Sequence, residues 1–165
     1  MPAILWLNRN AEKLLVSTLL AAIVVMIFAN VIMRYVFNAS LSWGEELTLW
    51  LFVWFVWIGV SYAFQTEEHV RITFLRDRFP ASLSYKIDFI VGLLVLGFLG
   101  AIVFEAVKLI QMPFVLSQKS VVLGFPIAML YASAPVGATL SMVRVIQYLL
   151  KTAAYISSSA EEQPC

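Results

Sequence analysis

The sequence contains one cysteine, Cys165, at its last position, and one histidine, His69. A single cysteine excludes an internal disulfide and the paired thiols of a thiol oxidoreductase, and a lone histidine excludes a multi-histidine metal or haem site within the chain. Charge is scarce as well. Charged residues make up 13% of the 165, and 11 basic against 10 acidic residues leave a net charge of +1. That balance lacks the clustered basic surface that nucleic acid requires. No glycine-rich phosphate loop, metal-ligand cluster or serine–histidine–acid set stands at a spacing that suggests a site. No catalytic, substrate-binding or metal-ligating residue is expected, and no cofactor.

Apolar residues are what the chain has in quantity. They account for 62% of it, and the mean hydropathy is +0.90. Soluble domains are nearer half apolar, so this chain needs a bilayer as solvent. The expected fold is all-α: an integral membrane protein with four transmembrane helices and short amphipathic interfacial segments. Spans are expected at about 14–33, 43–64, 87–108 and 121–144. Residues 1–155 form one membrane domain in this reading, and 156–165 a disordered cytoplasmic tail. The N-terminus shows no cleavage pattern before the first apolar run, so the first helix is expected to stay attached.

The first run, Leu14 to Met33, holds 20 uncharged residues, enough to cross about 30 Å of hydrocarbon. A polar link follows, in which Ser42 and Glu45 have capping-box spacing, and helix two is expected to start at Trp43. Glu45 and Glu46 suit the positive end of the helix dipole. Arg34 either snorkels or pairs with Glu45 or Glu46. Trp50, Trp54 and Trp57 share one helix face and read as packing surface or as a subunit interface. Trp43 suits an interfacial anchor. Gly59 with Ala63, and Gly92, Gly97 and Gly100 in helix three, suggest close helix approach. Ile72, Leu75 and Phe79 suggest a short helix in the membrane surface.

Glu105 and Lys108 stand at i, i+3 and can pair near the end of helix three. Phe114 to Leu116 suit the lipid interface. Pro126 lies near the start of helix four, and Pro135 predicts a bend within it. Ser133, Gly137 and Ser141 make a small-residue stripe suited to packing on protein.

Four spans put both termini and the 65–86 loop on one side, with Arg9, Lys13, Arg71, Arg76, Arg78, Lys86, Arg144 and Lys151. The other side holds Arg34, Lys108 and Lys119. The positive-inside rule then places both termini in the cytoplasm. No ionisable residue sits at mid-depth, where a self-contained proton-coupled transporter keeps one.

Several stretches carry a family likeness. Arg34-Tyr35-Val36-Phe37-Asn38, then Ser42-Trp43 and Glu46, resemble the signature region of the small membrane subunit of tripartite ATP-independent periplasmic (TRAP) transporters, the DctQ family. Gly59, Glu68-His69-Val70-Arg71-Ile72, Pro126, and Pro135 with Gly137 extend the likeness across roughly residues 10–150. Glu67 and Thr73 depart from the pattern, standing where glycine and an acidic residue are frequent.

The resemblance implies a large multi-spanning subunit that binds substrate and sodium and moves by an elevator-like motion in the bacterial inner membrane. It also implies a periplasmic binding protein that delivers an organic acid such as a C4-dicarboxylate or sialic acid. The small subunit is then a static scaffold, with Arg34, Trp43, Glu46, His69 and Arg71 as structural or interface residues, and sodium coupling belongs to the partner. Two other readings remain: a self-sufficient homo-oligomeric transporter, and a membrane anchor of an electron-transfer enzyme.

Overall fold

In lipid a backbone N–H or C=O has no water to bond, so an apolar run crosses as a helix that satisfies its own polar groups. The computed structural model describes residues 2–66 and 81–161, and in it each apolar run is helical. The elements are α1 (Pro2–Tyr35), α2 (Ser42–Gln65), α3 (Ala81–Ile110), α4 (Pro113–Ser117), α5 (Ala128–Tyr131) and α6 (Ser133–Glu161). Four stretches are long and apolar enough to span a membrane: Asn10–Tyr35, Ser42–Gln65, Ile87–Ile110 and Ala128–Leu150. The helix of 72–79 expected in the membrane surface lies outside the described residues.

The fourth span departs from expectation at both ends. It begins at Ala128, not Val121. Residues 118–127 fold back on themselves instead, with Ser120 N donating to Phe125 O at 2.8 Å and Ile127 N to Gln118 O at 3.1 Å. Gly124 takes φ +71° at the turn, a conformation open to glycine without steric cost. Pro126 closes this loop and leads into α5 rather than forming a first helical turn. At the other end α6 continues to Glu161, across Ser157 to Ala160, where the sequence suggested a tail. Within the span, Pro135 has no N–H to offer the carbonyl of Tyr131. The helix breaks at Ala132, between α5 and α6.

The spans form an open row. α1 packs on α2, α2 on α6, and α6 on α3, while α1 and α3 make no comparable contact among the described residues. On α1 Glu12 and Ile23 are buried, and Val16, Leu19, Met26, Asn30 and Met33 are among its half-buried residues. Their alternating spacing of four and three is the seam of a left-handed helix pair. The core lies between α3 and α6, around Leu99, Ala138, Val145 and Leu149, with Trp57 and Phe64 of α2 against it.

Small residues set the tightest approach, though not where glycine spacing alone suggested. Ser133 and Ser141 are buried, and a Cβ on Gly137 would stand 2.6 Å from Trp57 Cβ and 2.9 Å from Trp57 O. Gly92 likewise faces Leu149. Gly59, Gly97 and Gly100 have nothing within 4 Å of an added Cβ, so among the described residues they mediate no close approach.

Candidate functional site

Polar contacts gather at the two ends of the row. At the loop end, where α1 passes to α2 and α3 to α5, the first cluster starts from the C-terminal turns of α1. Asn30 lies on the α1 seam. Its Oδ1 accepts from Leu41 N at 3.1 Å, and its Nδ2 donates to Glu45 Oε1 at 3.4 Å. One turn on, Arg34 Nη2 donates to the same Glu45 oxygen at 2.9 Å. Asn38 turns the chain with φ 51°, which asparagine tolerates better than most residues. Gly44 lets α2 start close to α1, with Met26 Cε 3.6 Å from where a Cβ would be. A groove of about 350 Å³ runs past Asn30, Arg34, Glu45 and Thr48.

Arg34 therefore pairs with Glu45 and not with Glu46. Glu45 does not reach back to cap α2 as the Ser42 spacing suggested. Leu41 stands at the N-cap with no side-chain cap hydrogen bond. A charge-assisted bond to a guanidinium is stronger than one to a neutral amide, which accounts for the exchange.

Glu46 faces the other way, toward the loop of 118–127. Its Oε2 accepts from Val122 N at 3.0 Å and Leu123 N at 3.1 Å. Ser120 Oγ accepts from Leu123 N as well, at 3.0 Å. One turn deeper, Trp50 is buried against Phe125, with ring centroids 6.2 Å apart and planes at 54°. Trp43 is exposed at the start of α2, Trp54 is half-buried, and Trp57 packs on Gly137. Two of the three tryptophans on the shared face are thus used inside the chain, where an interface with another subunit was one expectation.

The terminal end carries a contact that sequence reasoning missed. Glu12 Oε1 receives Arg144 Nη2 at 2.8 Å and Nε at 2.9 Å. The two side chains are only 7% and 11% exposed. Arg144 Nη1 also donates to Gln147 Oε1 at 3.1 Å, while Glu12 Oε2 is buried with no hydrogen-bond partner among the described residues. The signal was present in the sequence: Glu12 extends the α1 seam by one step before Val16. Glu105 and Lys108 meet at 3.9 Å on an exposed face of α3, apart from both clusters. His69 and Arg71 lie outside the described residues.

These groups hold helices and a loop in place. Among the described residues no three histidine, cysteine, aspartate or glutamate side chains converge as metal ligands. Residues 23–154, from the middle of α1 well into α6, match the family described as the DctQ component of tripartite ATP-independent periplasmic transporters. The chain belongs to the DctQ family. DctQ proteins are small transport subunits, so this is a multi-pass membrane transport subunit and not an enzyme. Arg34, Glu45, Glu46 and their partners lie inside the matched region, and Glu12 lies outside it.

Individual relatives agree. The sialic acid TRAP transporter small permease protein of Vibrio cholerae is 27% identical over 155 residues, covering 92% of this chain and 88% of that one. The C4-dicarboxylate TRAP transporter small permease protein of the same organism is 36% identical over 84 residues, or 47% of this chain and 36% of that one. The isethionate TRAP transporter permease protein of Oleidesulfovibrio alaskensis is 30% identical over 156 residues. That match covers 90% of this chain but 24% of the relative, so a DctQ-like segment makes up about a quarter of that longer permease.

Proposed function

We propose that this DctQ chain is the stator of a secondary-active TRAP transporter. It enlarges the fixed scaffold against which a large elevator-type permease subunit moves an organic acid, delivered by a periplasmic binding protein. The observation that carries the reading is the open row of spans. Each helix spends one or two faces on its neighbours and presents the rest, while the polar groups at the row's ends are tied to one another. An elevator needs a support that does not sink or tilt with the moving part. Drawing a charge toward mid-bilayer costs about 2.5 kcal/mol or more, so charged ends resist vertical displacement. The isethionate permease supports the association, because there the like segment is part of a longer permease chain. Relatives named for sialic acid, C4-dicarboxylates and isethionate share the likeness, which fits a subunit that does not select the substrate.

In this reading the chain sits in the bacterial inner membrane with both termini cytoplasmic. The sequence puts eight basic residues on the terminal side against three on the loop side. Arg144 is paired with Glu12 on the first, and Arg34 and Lys108 are paired with Glu45 and Glu105 on the second, so pairing does not reverse the bias. Tagged chain should copurify the large permease, and uptake in reconstituted vesicles should require both subunits and the binding protein. Uptake by the large subunit alone at the full rate, or by this chain alone, would overturn the proposal.

A further inference from the structure

The loop of 118–127 does not stand clear of the helix ends. α2 has 24 residues, about 36 Å at 1.5 Å per residue, against about 30 Å of hydrocarbon. With α2 centred in the bilayer, Glu46 falls near the headgroup boundary and Trp50 about 9 Å inside it. Glu46 holds Val122 and Leu123, and Trp50 holds Phe125, so the loop lies between those two depths. Irregular backbone there is tolerated only if its polar groups find partners.

This loop meets that condition in part, by turning four of its nine donors inward. Val122 N and Leu123 N end on Glu46, Ser120 N on Phe125 O, and Ile127 N on Gln118 O, while Pro126 has no N–H. Three of its apolar side chains face outward, while Leu123 and Ile127 are half-buried. Val121 is 98% exposed, and Val122 and Phe125 are each about half exposed. From residue 111 to 127 the one charged residue is Lys119, and no acid is present. A loop made for water shows the opposite arrangement of backbone and side chains.

We propose that residues 118–127 form a lipid anchor. The tip at Val121 lies at the level of the glycerol backbone and first acyl carbons, Lys119 serves the phosphate layer, and Glu46 is the positioning residue that holds the loop in shape. The anchor requires no partner subunit, so it stands apart from the stator reading and fails or succeeds separately.

The test uses the full chain with Cys165→Ser and a single environment-sensitive fluorophore on Val121→Cys. Vesicles of phosphatidylethanolamine and phosphatidylglycerol hold it alone and together with the large permease subunit. The expected result is blue-shifted emission, severalfold protection from iodide, and stronger quenching by lipids carrying a nitroxide near the headgroup than by lipids carrying one at the chain end. Glu46→Ala should move the label toward water, with helix content unchanged. Glu46→Gln, which keeps an acceptor oxygen at the same reach, should not. A label on Val122→Cys repeats the measurement should the first variant fail to fold. Water-like emission open to iodide would overturn the proposal. So would lipid quenching that disappears when the large subunit is present, which would assign this face to a protein contact. Quenching unchanged by Glu46→Ala would overturn the role given to Glu46.

Discussion

Replacing Gly137 with alanine isolates the close approach of α6 to the α2 backbone. The new Cβ would meet Trp57 Cβ at 2.6 Å, Trp57 O at 2.9 Å and Trp57 C at 3.0 Å. Two of those atoms are α2 backbone, so no rotamer change relieves the clash. Ordinary carbon contact begins near 3.5 Å, so α2 and α6 must part by up to about 1 Å. That separation also loosens Trp57 against the core that Ala138, Val145 and Leu149 form. Overpacking of this kind costs about 1–3 kcal/mol, and a backbone clash belongs at the upper end. Against it stands a gain of about 1 kcal/mol in helix propensity for glycine to alanine.

Gly97→Ala supplies the control. It carries the same propensity gain on α3, with nothing within 4 Å of the added methyl. The assay is the unfolding of purified chain in detergent, followed by the loss of a monodisperse peak on heating. Gly137→Ala should lower the midpoint, and Gly97→Ala should hold or raise it. Equal shifts in the two variants would refute the close approach of α2 and α6.

Glu12→Ala should destabilise by about 3–5 kcal/mol, because it strands a buried guanidinium; the double change Glu12→Leu with Arg144→Met should recover most of that loss in the same assay, and a double variant no better than the single one would argue against a buried pair. Asn30→Leu removes the acceptor for Leu41 N and should cost about 1–3 kcal/mol; faster amide exchange at Leu41 is the specific readout, and unchanged exchange refutes the contact. Arg34→Ala breaks a pair whose partners are more than half exposed, so the expected loss of stability is at most about 1 kcal/mol. Its larger expected effect is a looser α1–α2 link and a lower yield of copurified large subunit, and unchanged copurification and uptake would remove Arg34 from the assembly.

The four spans were legible in the sequence because the bilayer penalises charge and bare backbone so heavily that uncharged runs announce themselves. The Arg34 contact with the start of α2 was legible as one of two readings, since the link between them is short. Position 121 was misread because Val121, Val122, Leu123 and Phe125 are apolar in a loop as they would be in a helix, and hydropathy does not separate the two. Gly124 and Pro126 were the local signals. The Ser42–Glu45 spacing failed for a different reason: local capping competed with an arginine on the previous helix and lost. Gly59, Gly97 and Gly100 show that spacing identifies where helices are able to approach, but not which face a neighbour takes. Glu12 escaped because it was counted as lying before the first span, although the seam includes it.

The two ends of α1 explain why an edge helix can be rigid without a second neighbour. Packing on α2 alone would leave it free to slide by a turn along an apolar seam, since one aliphatic contact is much like the next. A polar residue at a seam position removes that freedom, because a shifted register leaves it unpaired in an apolar setting. α1 has such a residue at each end: Asn30 satisfied by the α1–α2 link and Glu45, and Glu12 by Arg144 on α6. Arg144 lies beyond the nearest neighbour in the row, so this pair ties α1 to the helix that itself holds α3. Neither contact needs a partner subunit. Both therefore serve a part that keeps its shape while exposing most of its apolar surface, which a fixed support requires and a four-helix bundle closed around its own pathway does not.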